Sequence, residues 1–224
     1  MNILAIDTAG PYLSVALAKN DKVIAQYKSK SQRSHSDELA PSVGKLLKKT
    51  KIKPKDIDLY ALSIGPGSFT GLRIGVAFIK GMNLFFNKPV VAVPTLDAIA
   101  SMAGADIVCP VVDAKRQNVY TAIYKNGMMV FKYSVIPIAE ILKKLDKATF
   151  TGDGVDVYKE EIIKALGKKA VFTDKKKWHT AADIIAKIGF KMYNDKKGIV
   201  SDLAQLMPMY LYPRDIQCVR RQQK

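Results

Sequence analysis

From Asn2 to Tyr27 the apolar and polar positions describe a strand ending at Asp7, a short loop, a second strand, a tight turn at Asn20-Asp21 and a third strand. Sliding the chain on itself by 106 residues repeats the pattern. Ile6-Asp7 falls on Val112-Asp113, Ala16 on Ala122, Lys19-Asn20-Asp21 on Lys125-Asn126-Gly127, and Tyr27 on Tyr133. Asn126-Gly127 is the stronger turn signal, because both central residues tolerate positive φ. The chain reads as an internal duplication.

After each three-stranded unit the period changes. Residues 36–50 carry Leu39, Val43, Leu46 and Leu47 at helical spacing, behind a start rich in Ser and acidic residues. A buried strand over 59–64, a helix over 70–86, a strand over 90–93 and a helix over 95–103 closed by Gly104 follow. The second half predicts helices over 137–145 and 156–166 with a strand over 149–151 between them. A last helix over 180–193 turns Ile184, Ile185, Ile188 and Met192 inward. Two mixed five-stranded α/β sheets with helices outside follow from this order. The expected lobes are 1–104 and 105–224, joined within 102–107, with a cleft between them onto which Asp7 and Asp113 open.

Composition narrows the class. Hydrophobic residues are 48 % of 224, enough for a core and too many for a disordered charged tail. Cys109 and Cys218 make neither a disulfide framework nor a CxxC metal spacing. The N-terminus has no basic stretch ahead of its apolar run, and Lys80, Asn83, Asn87 and Lys88 interrupt the longest apolar segments, so a soluble, cytoplasmic chain with no membrane span is expected. Net charge is +16, yet only six of the 36 basic residues are arginine. Lysine is a hydrated point charge, whereas arginine is the bidentate reader of phosphates. The excess fits long-range attraction to a polyanion, and it fits an ordinary solvated surface equally well.

Gly65-Pro66-Gly67-Ser68-Phe69-Thr70-Gly71-Leu72-Arg73-Ile74-Gly75 runs from a strand into a helix, where free N–H groups and the helix dipole favour an anion. It is neither a Walker A loop nor the dinucleotide fingerprint. It also reads as a plain strand-to-helix turn with Ser68 or Thr70 as N-cap. Gly71, Gly75 and Gly81 each cost a helix roughly 1 kcal/mol relative to Ala, so close approach of another backbone is expected. The helix is apolar on nearly every side and needs cover on nearly every side, from its own chain or from another protein. Asp7 and Asp113 suit Mg²⁺-phosphate coordination, or each caps its following loop. Asp113-Ala114-Lys115-Arg116 is basic and could hold a phosphate. His35 lacks a second histidine one turn on, since position 39 is Leu, and no Cys/His or Ser/His/Asp set emerges from spacing.

Several of these stretches together resemble the TsaB (YeaZ) family: Ile3-Leu4-Ala5-Ile6-Asp7-Thr8 with Ser14-Val15-Ala16, His35-Ser36, the 65–75 stretch, Asp113-Ala114-Lys115-Arg116 before Val119-Tyr120, and Pro208-Met209-Tyr210-Leu211. The resemblance spans the whole chain. It implies duplicated RNase H-like lobes of the actin/Hsp70/sugar-kinase (ASKHA) fold. It further implies a subunit with no catalysis of its own, required for N6-threonylcarbamoylation of adenosine 37 in tRNAs that read ANN codons. The family subunit binds and activates TsaD, the catalytic paralogue that holds the metal, while TsaE supplies an ATPase. Family heterodimers pack the first two helices of the first lobe, which makes Leu39, Val43, Leu46, Leu47, Gly71, Arg73, Gly75, Val76 and Lys80 the expected partner surface. Candidates for nucleotide binding are Asp7, Thr8, Gly65, Gly67, Ser68 and Asp113, and candidates for facing tRNA are Lys115, Arg116, Arg220 and Arg221. No metal or tightly bound cofactor is expected, with ATP or ADP placed at the subunit boundary of the complex. Alone, the chain is expected to pair with itself through the same helices. An ATP-dependent small-molecule kinase of this fold and a metallopeptidase-like homologue are the other readings.

Overall fold

The computed structural model describes residues 1–29 and 35–212. They form two compact units, Met1–Ala98 with Thr180–Pro208, and Ile99–His179 with residues 209–212.

The first unit is built on a six-stranded sheet. β1 (Asn2–Asp7) pairs antiparallel with β2 (Ser14–Lys19), which pairs antiparallel with β3 (Lys22–Lys28) through the turn at Asn20, where φ is 55°. On its other side β1 lies parallel to β4 (Leu59–Gly65), and β4 parallel to β5 (Val90–Pro94). A two-residue strand late in the chain, Ile199–Val200, closes the β5 edge antiparallel.

Alternation along the strands sorts side chains by size. Leu4, Ile6, Val15, Leu17, Tyr60 and Leu62 face α1 (His35–Thr50) and α2 (Phe69–Phe86), whose Leu39, Val43, Leu46, Leu47, Val76 and Ile79 complete one core. The opposite face presents Ile3, Ala5, Ala16, Ala18 and Ala61. Onto these small residues packs a helix over Ala182–Asn194 through Ala182, Ile185 and Ala186. A Cβ on Gly189 of that helix would come within 2.6 Å of Ala61 Cβ. Only glycine lets the two backbones approach so closely.

That helix corrects the expected boundary at 104/105. Its sequence lies in the second half, but its apolar stripe matches the alanine face of the first sheet. The chain therefore leaves the first unit after Ala98 and returns to it at Thr180.

The second unit repeats the plan. β6 (Ile107–Asp113), β7 (Asn118–Lys125) and β8 (Met128–Pro137) run antiparallel in succession, and the turn at Asn126-Gly127 has φ of 51° and 74°. β9 (Ala148–Thr151) lies parallel to β6, and β10 (Ala170–Phe172) parallel to β9. α4 (Ile138–Leu142) and α5 (Gly154–Leu166) cover one face, burying Ile141, Phe150, Val155 and Ile162. Between the two units of chain, α3 spans Thr95–Ser101. In chain order the helix over Ala182–Asn194 is α6 and the strand Ile199–Val200 is β11. Expected elements appear in the expected order. β10 and β11 are additions, and the first sheet has six strands rather than five.

Candidate functional site

Three places hold the residues singled out by sequence. The first is the end of β1. Asp7 is 1 % exposed, and its Oδ1 accepts hydrogen bonds from Ser63 Oγ at 2.6 Å and from the Ala9 N–H at 3.0 Å. Burial lifts its carboxyl above the usual aspartate value, while those two bonds and the charges of His35 and Lys28 pull the other way. His35 Nε2 lies 3.2 Å from the Gly10 carbonyl.

The glycine-rich turn closes directly over this loop. Ser68 is the N-cap of α2 and accepts from the Gly71 N–H at 3.2 Å, while the Ser68 N–H donates to the Ala9 carbonyl at 2.8 Å. Side chains on Gly67 and Gly71 would meet the Ala9 and Thr8 carbonyl oxygens, and one on Gly75 would lie 2.6 Å from Thr8 Oγ1. The backbone that these glycines admit is therefore the chain's own β1–β2 loop. Gly81 has open space where a Cβ would point.

This geometry decides what the turn can hold. The Ser68, Gly71 and Ala9 N–H groups already have partners within the chain, and Asp7, Thr8 and Gly65 are buried. The expected Asp7, Thr8, Gly65, Gly67, Ser68 cradle thus spends these N–H groups within the chain, although Gly67 is half-buried and Ser68 exposed, and no step is built on ATP there. Asp113, the last candidate of that set, sits in the other unit.

A consequence follows for pH. A carboxyl with a raised value in the folded state binds its proton more tightly there than in the unfolded chain. Its ionisation therefore weakens the fold as pH climbs through that window, and acidification restores the loss. A carbon-detected titration of the Asp7 carboxyl is expected to show a midpoint above 3.8, and a midpoint at or below that value contradicts the buried placement.

The second place is the β6–β7 loop. Lys115, Arg116 and Gln117 have φ of 65°, 54° and 61°, three successive residues in the left-handed region. Such runs are avoided by non-glycine residues, which visit this region singly. Hydrogen bonds hold the run: Ala114 N–H to the Asn118 carbonyl, Asn118 N–H to the Lys115 carbonyl, and the Tyr212 hydroxyl to the Ala114 carbonyl at 2.9 Å. Asp113 accepts Lys115 Nζ at 2.6 Å, which raises the lysine's value, and the Asp113 N–H donates to Asp153 Oδ1. Lys115 is thus answered by its own aspartate. Arg116 is exposed, with no carboxylate in ion-pair range among the described residues. Arg220 and Arg221 lie outside the described residues.

The third place is the pair of helices on the first sheet. Leu39, Val43, Leu46, Leu47, Gly71, Gly75 and Val76 are buried, all 7 % exposed or less where quantified, because the apolar stripes of α1 and α2 face their own sheet. They are core, which corrects the expected partner surface. Arg73 is exposed with its guanidinium 3.8 Å above the Phe69 ring, and Lys80 is half-buried.

What α2 leaves outside was missed. Leu84 is 80 % exposed, Phe85 83 % and Phe69 46 %. Phe69, Arg73, Ala77, Lys80 and Leu84 share one helical face, beside the buried face of Leu72, Val76 and Ile79, and Phe85 lies further round the helix. Ala40, Gly44 and Lys45 are the exposed side of α1, and nothing lies within 4 Å of a Cβ built on Gly44. By length and composition α2 is the one described helix that could cross a membrane, but its inner face belongs to the core. Among the described residues no group of three or more His, Cys, Asp or Glu is placed to hold a metal ion. Buried Cys109, 3.4 Å from Thr121 Oγ1, has its thiol pushed up to about 12 by desolvation, far from a reactive thiolate.

Comparison with known proteins bears on the chain as a whole. The family model "TsaD: tRNA N6-adenosine threonylcarbamoyltransferase" matches residues 21–210. The tRNA threonylcarbamoyladenosine biosynthesis protein TsaB of Bacillus subtilis is 32 % identical over 221 residues, 94 % of each chain. YeaZ from Pseudomonas aeruginosa superposes with a TM-score of 0.78 at 27 % identity, covering 94 % of this chain and 99 % of that one. The ethanolamine utilization protein EutJ of Carboxydothermus hydrogenoformans, at 13 % identity and TM-score 0.53 over 84 % of this chain and 90 % of that one, shares the fold alone. The two units are the duplicated lobes of the actin/Hsp70/sugar-kinase fold.

Proposed function

The chain belongs to the TsaB family of tRNA threonylcarbamoyladenosine biosynthesis proteins, and from that membership we propose that it is a non-catalytic subunit that binds and activates TsaD. Its role lies in tRNA threonylcarbamoyladenosine biosynthesis. Within that role, the complex modifies N6 of adenosine 37 in tRNAs reading ANN codons, with TsaE as the ATPase and the cytoplasm as the setting.

The observation that supports this reading best is the outward face of α2. Two large apolar side chains more than three-quarters exposed at the end of one helix are a cost that a monomer has no reason to keep. Covering such area is favourable by about 25 cal/mol per Å². Phe69, Arg73, Ala77, Lys80, Leu84 and Phe85 replace the buried residues as the docking face, with Ala40 and Gly44 of α1 allowing close approach beside it. The same face pairs two copies of the chain when TsaD is absent. ATP or ADP in the assembly belongs at the subunit boundary, since the Asp7 loop is filled by its own hydrogen bonds. That loop also weakens the small-molecule kinase reading, which asks a buried, engaged Asp7 to meet Mg-ATP.

The deciding experiment mixes TsaD, TsaE, threonylcarbamoyl-adenylate and tRNA with and without the chain. Modified tRNA is expected only when the chain is present. Equal modification without it refutes the accessory role, and phosphoryl transfer to a small molecule by the chain alone turns the reading to a kinase.

Arg116, exposed and without an ion-pair partner among the described residues, is the tRNA-facing cation of this reading. Arg116→Ala is expected to weaken tRNA binding by the reconstituted complex about three- to tenfold and to lower the salt slope by about one. Lys115→Ala should change it less than about twofold, because Asp113 already neutralises that charge. Filter binding at two salt concentrations compares the pair.

A further inference from the structure

At the hairpin end of the second sheet, the starts of β6 and β8, the end of β7, the turn after α4 and Lys169 border an open hollow of about 520 Å³. That is the size of an ordinary small-molecule site. Ile107, Ile123, Phe131 and Leu145 line its floor, and two of these, Ile123 and Leu145, are otherwise core residues. Around it stand Lys125, Lys144, Lys147 and Lys169, against a single acid, Asp146.

Among the described residues none of these four lysines has a carboxylate within 4.0 Å. In the same unit Lys115 is paired with Asp113 and Lys175 with Asp156, so these four belong to the larger set of lysines whose charge is unanswered, and what sets them apart is their place around one apolar hollow. Lys144 instead holds its ammonium 5.2 Å from the centre of the Phe131 ring, a cation set over the apolar floor.

Two kinds of ligand leave this hollow incomplete. A fully hydrated anion answers the lysines but leaves the floor in water. A neutral apolar molecule covers the floor and leaves four like charges repelling one another. We propose that the hollow binds a small amphipathic anion, an aromatic or short acyl body carrying one carboxylate, sulfonate or phosphate. The apolar body sits on Phe131 and Leu145, and the charge sits among Lys125, Lys144, Lys147 and Lys169. The site uses no residue of the docking face or of the Arg116 loop, so it stands apart from the role in tRNA modification.

The test titrates the full chain with 8-anilinonaphthalene-1-sulfonate and with N-phenyl-1-naphthylamine, which has the same ring body without the charge. A saturable one-to-one fluorescence rise is expected with the sulfonate at low salt, with the neutral amine binding at least about tenfold more weakly. The double variant Lys144→Ala/Lys169→Ala changes only exposed side chains and is expected to lose about tenfold in sulfonate affinity. Amide shift changes should cluster at Ile107, Ile123, Phe131 and Leu145. No saturation below about 1 mM, equal binding of the neutral amine, an unchanged double variant, or shift changes elsewhere each overturns the proposal.

Discussion

A chain carrying Leu84→Lys and Phe85→Lys is expected to lose TsaD in co-purification while melting within about 2 °C of the parent, since exposed substitutions seldom move stability by more than about 0.5 kcal/mol. Both side chains are at least 80 % exposed, so the fold does not need them. At the centre of a docked face they would be fully desolvated, where truncation of an aromatic anchor costs about 2–4 kcal/mol, or about 30- to 1000-fold in affinity. Lysine is chosen over glutamate because both positions lie in the last turn of α2, where the helix dipole favours a cation. Light scattering on dilution should show the same variant monomeric wherever the parent self-associates. Val76→Arg, by contrast, places an unpaired charge in the first core, 7 % exposed, and its loss of binding would report only unfolding. If the double lysine variant still holds TsaD, the outer face of α2 is not the docking surface.

The error that this experiment repairs is instructive about periodicity. Leu39, Val43, Leu46 and Leu47 form a clean stripe, and a clean stripe on an amphipathic helix is the side its own sheet covers. On α2 the apolar residues run nearly all the way round, so pattern alone could not say which half the chain seals. Strand pairing decides it, by bringing β4 and the β1–β2 loop against Gly71, Gly75 and Val76. The duplication was readable because the Asn20 and Asn126 turns fix the register of both hairpins. β10 and β11, three and two residues long, carry too little alternation to stand out. α6 returns to the first sheet because Ala5, Ala16, Ala18 and Ala61 leave room for it, a pairing between residues far apart in the chain. The lysine-rimmed hollow was hidden for the same reason, its four cations being spread from 125 to 169. Three glycines announced that a backbone comes close to α2. Their spacing could not tell that the backbone is Thr8–Ala9 of the same chain.

That last point carries the largest expected effect on stability. Gly71 and Gly81 both sit inside α2 without positive φ, so Ala at either position suits the helix and, on propensity alone, should stabilise it by about 0.8–1 kcal/mol. Gly81→Ala meets nothing within 4 Å and is expected to follow that rule. Gly71→Ala drives its methyl into the Thr8 carbonyl, with Ser68 Oγ at 3.2 Å and His35 Cδ2 at 3.3 Å also in the way. Carbonyl backbone cannot swing aside like a side-chain tip, and the Thr8–Ala9 segment is tied by Ala9 to Asp7 and by Ser68 to Ala9. Overpacking against such a wall costs about 1–3 kcal/mol and sometimes more, which outweighs the propensity gain. A net loss of about 1–2 kcal/mol should therefore lower the melting temperature of Gly71→Ala by roughly 2–8 °C, at about 2–4 °C per kcal/mol for a chain this long, while Gly81→Ala leaves it level or raises it. Thermal melts of the two variants beside the parent decide the matter by sign. A gain at both positions would mean that the β1–β2 loop does not lie on α2, and with it would go the filled Asp7 cradle on which the non-kinase reading leans.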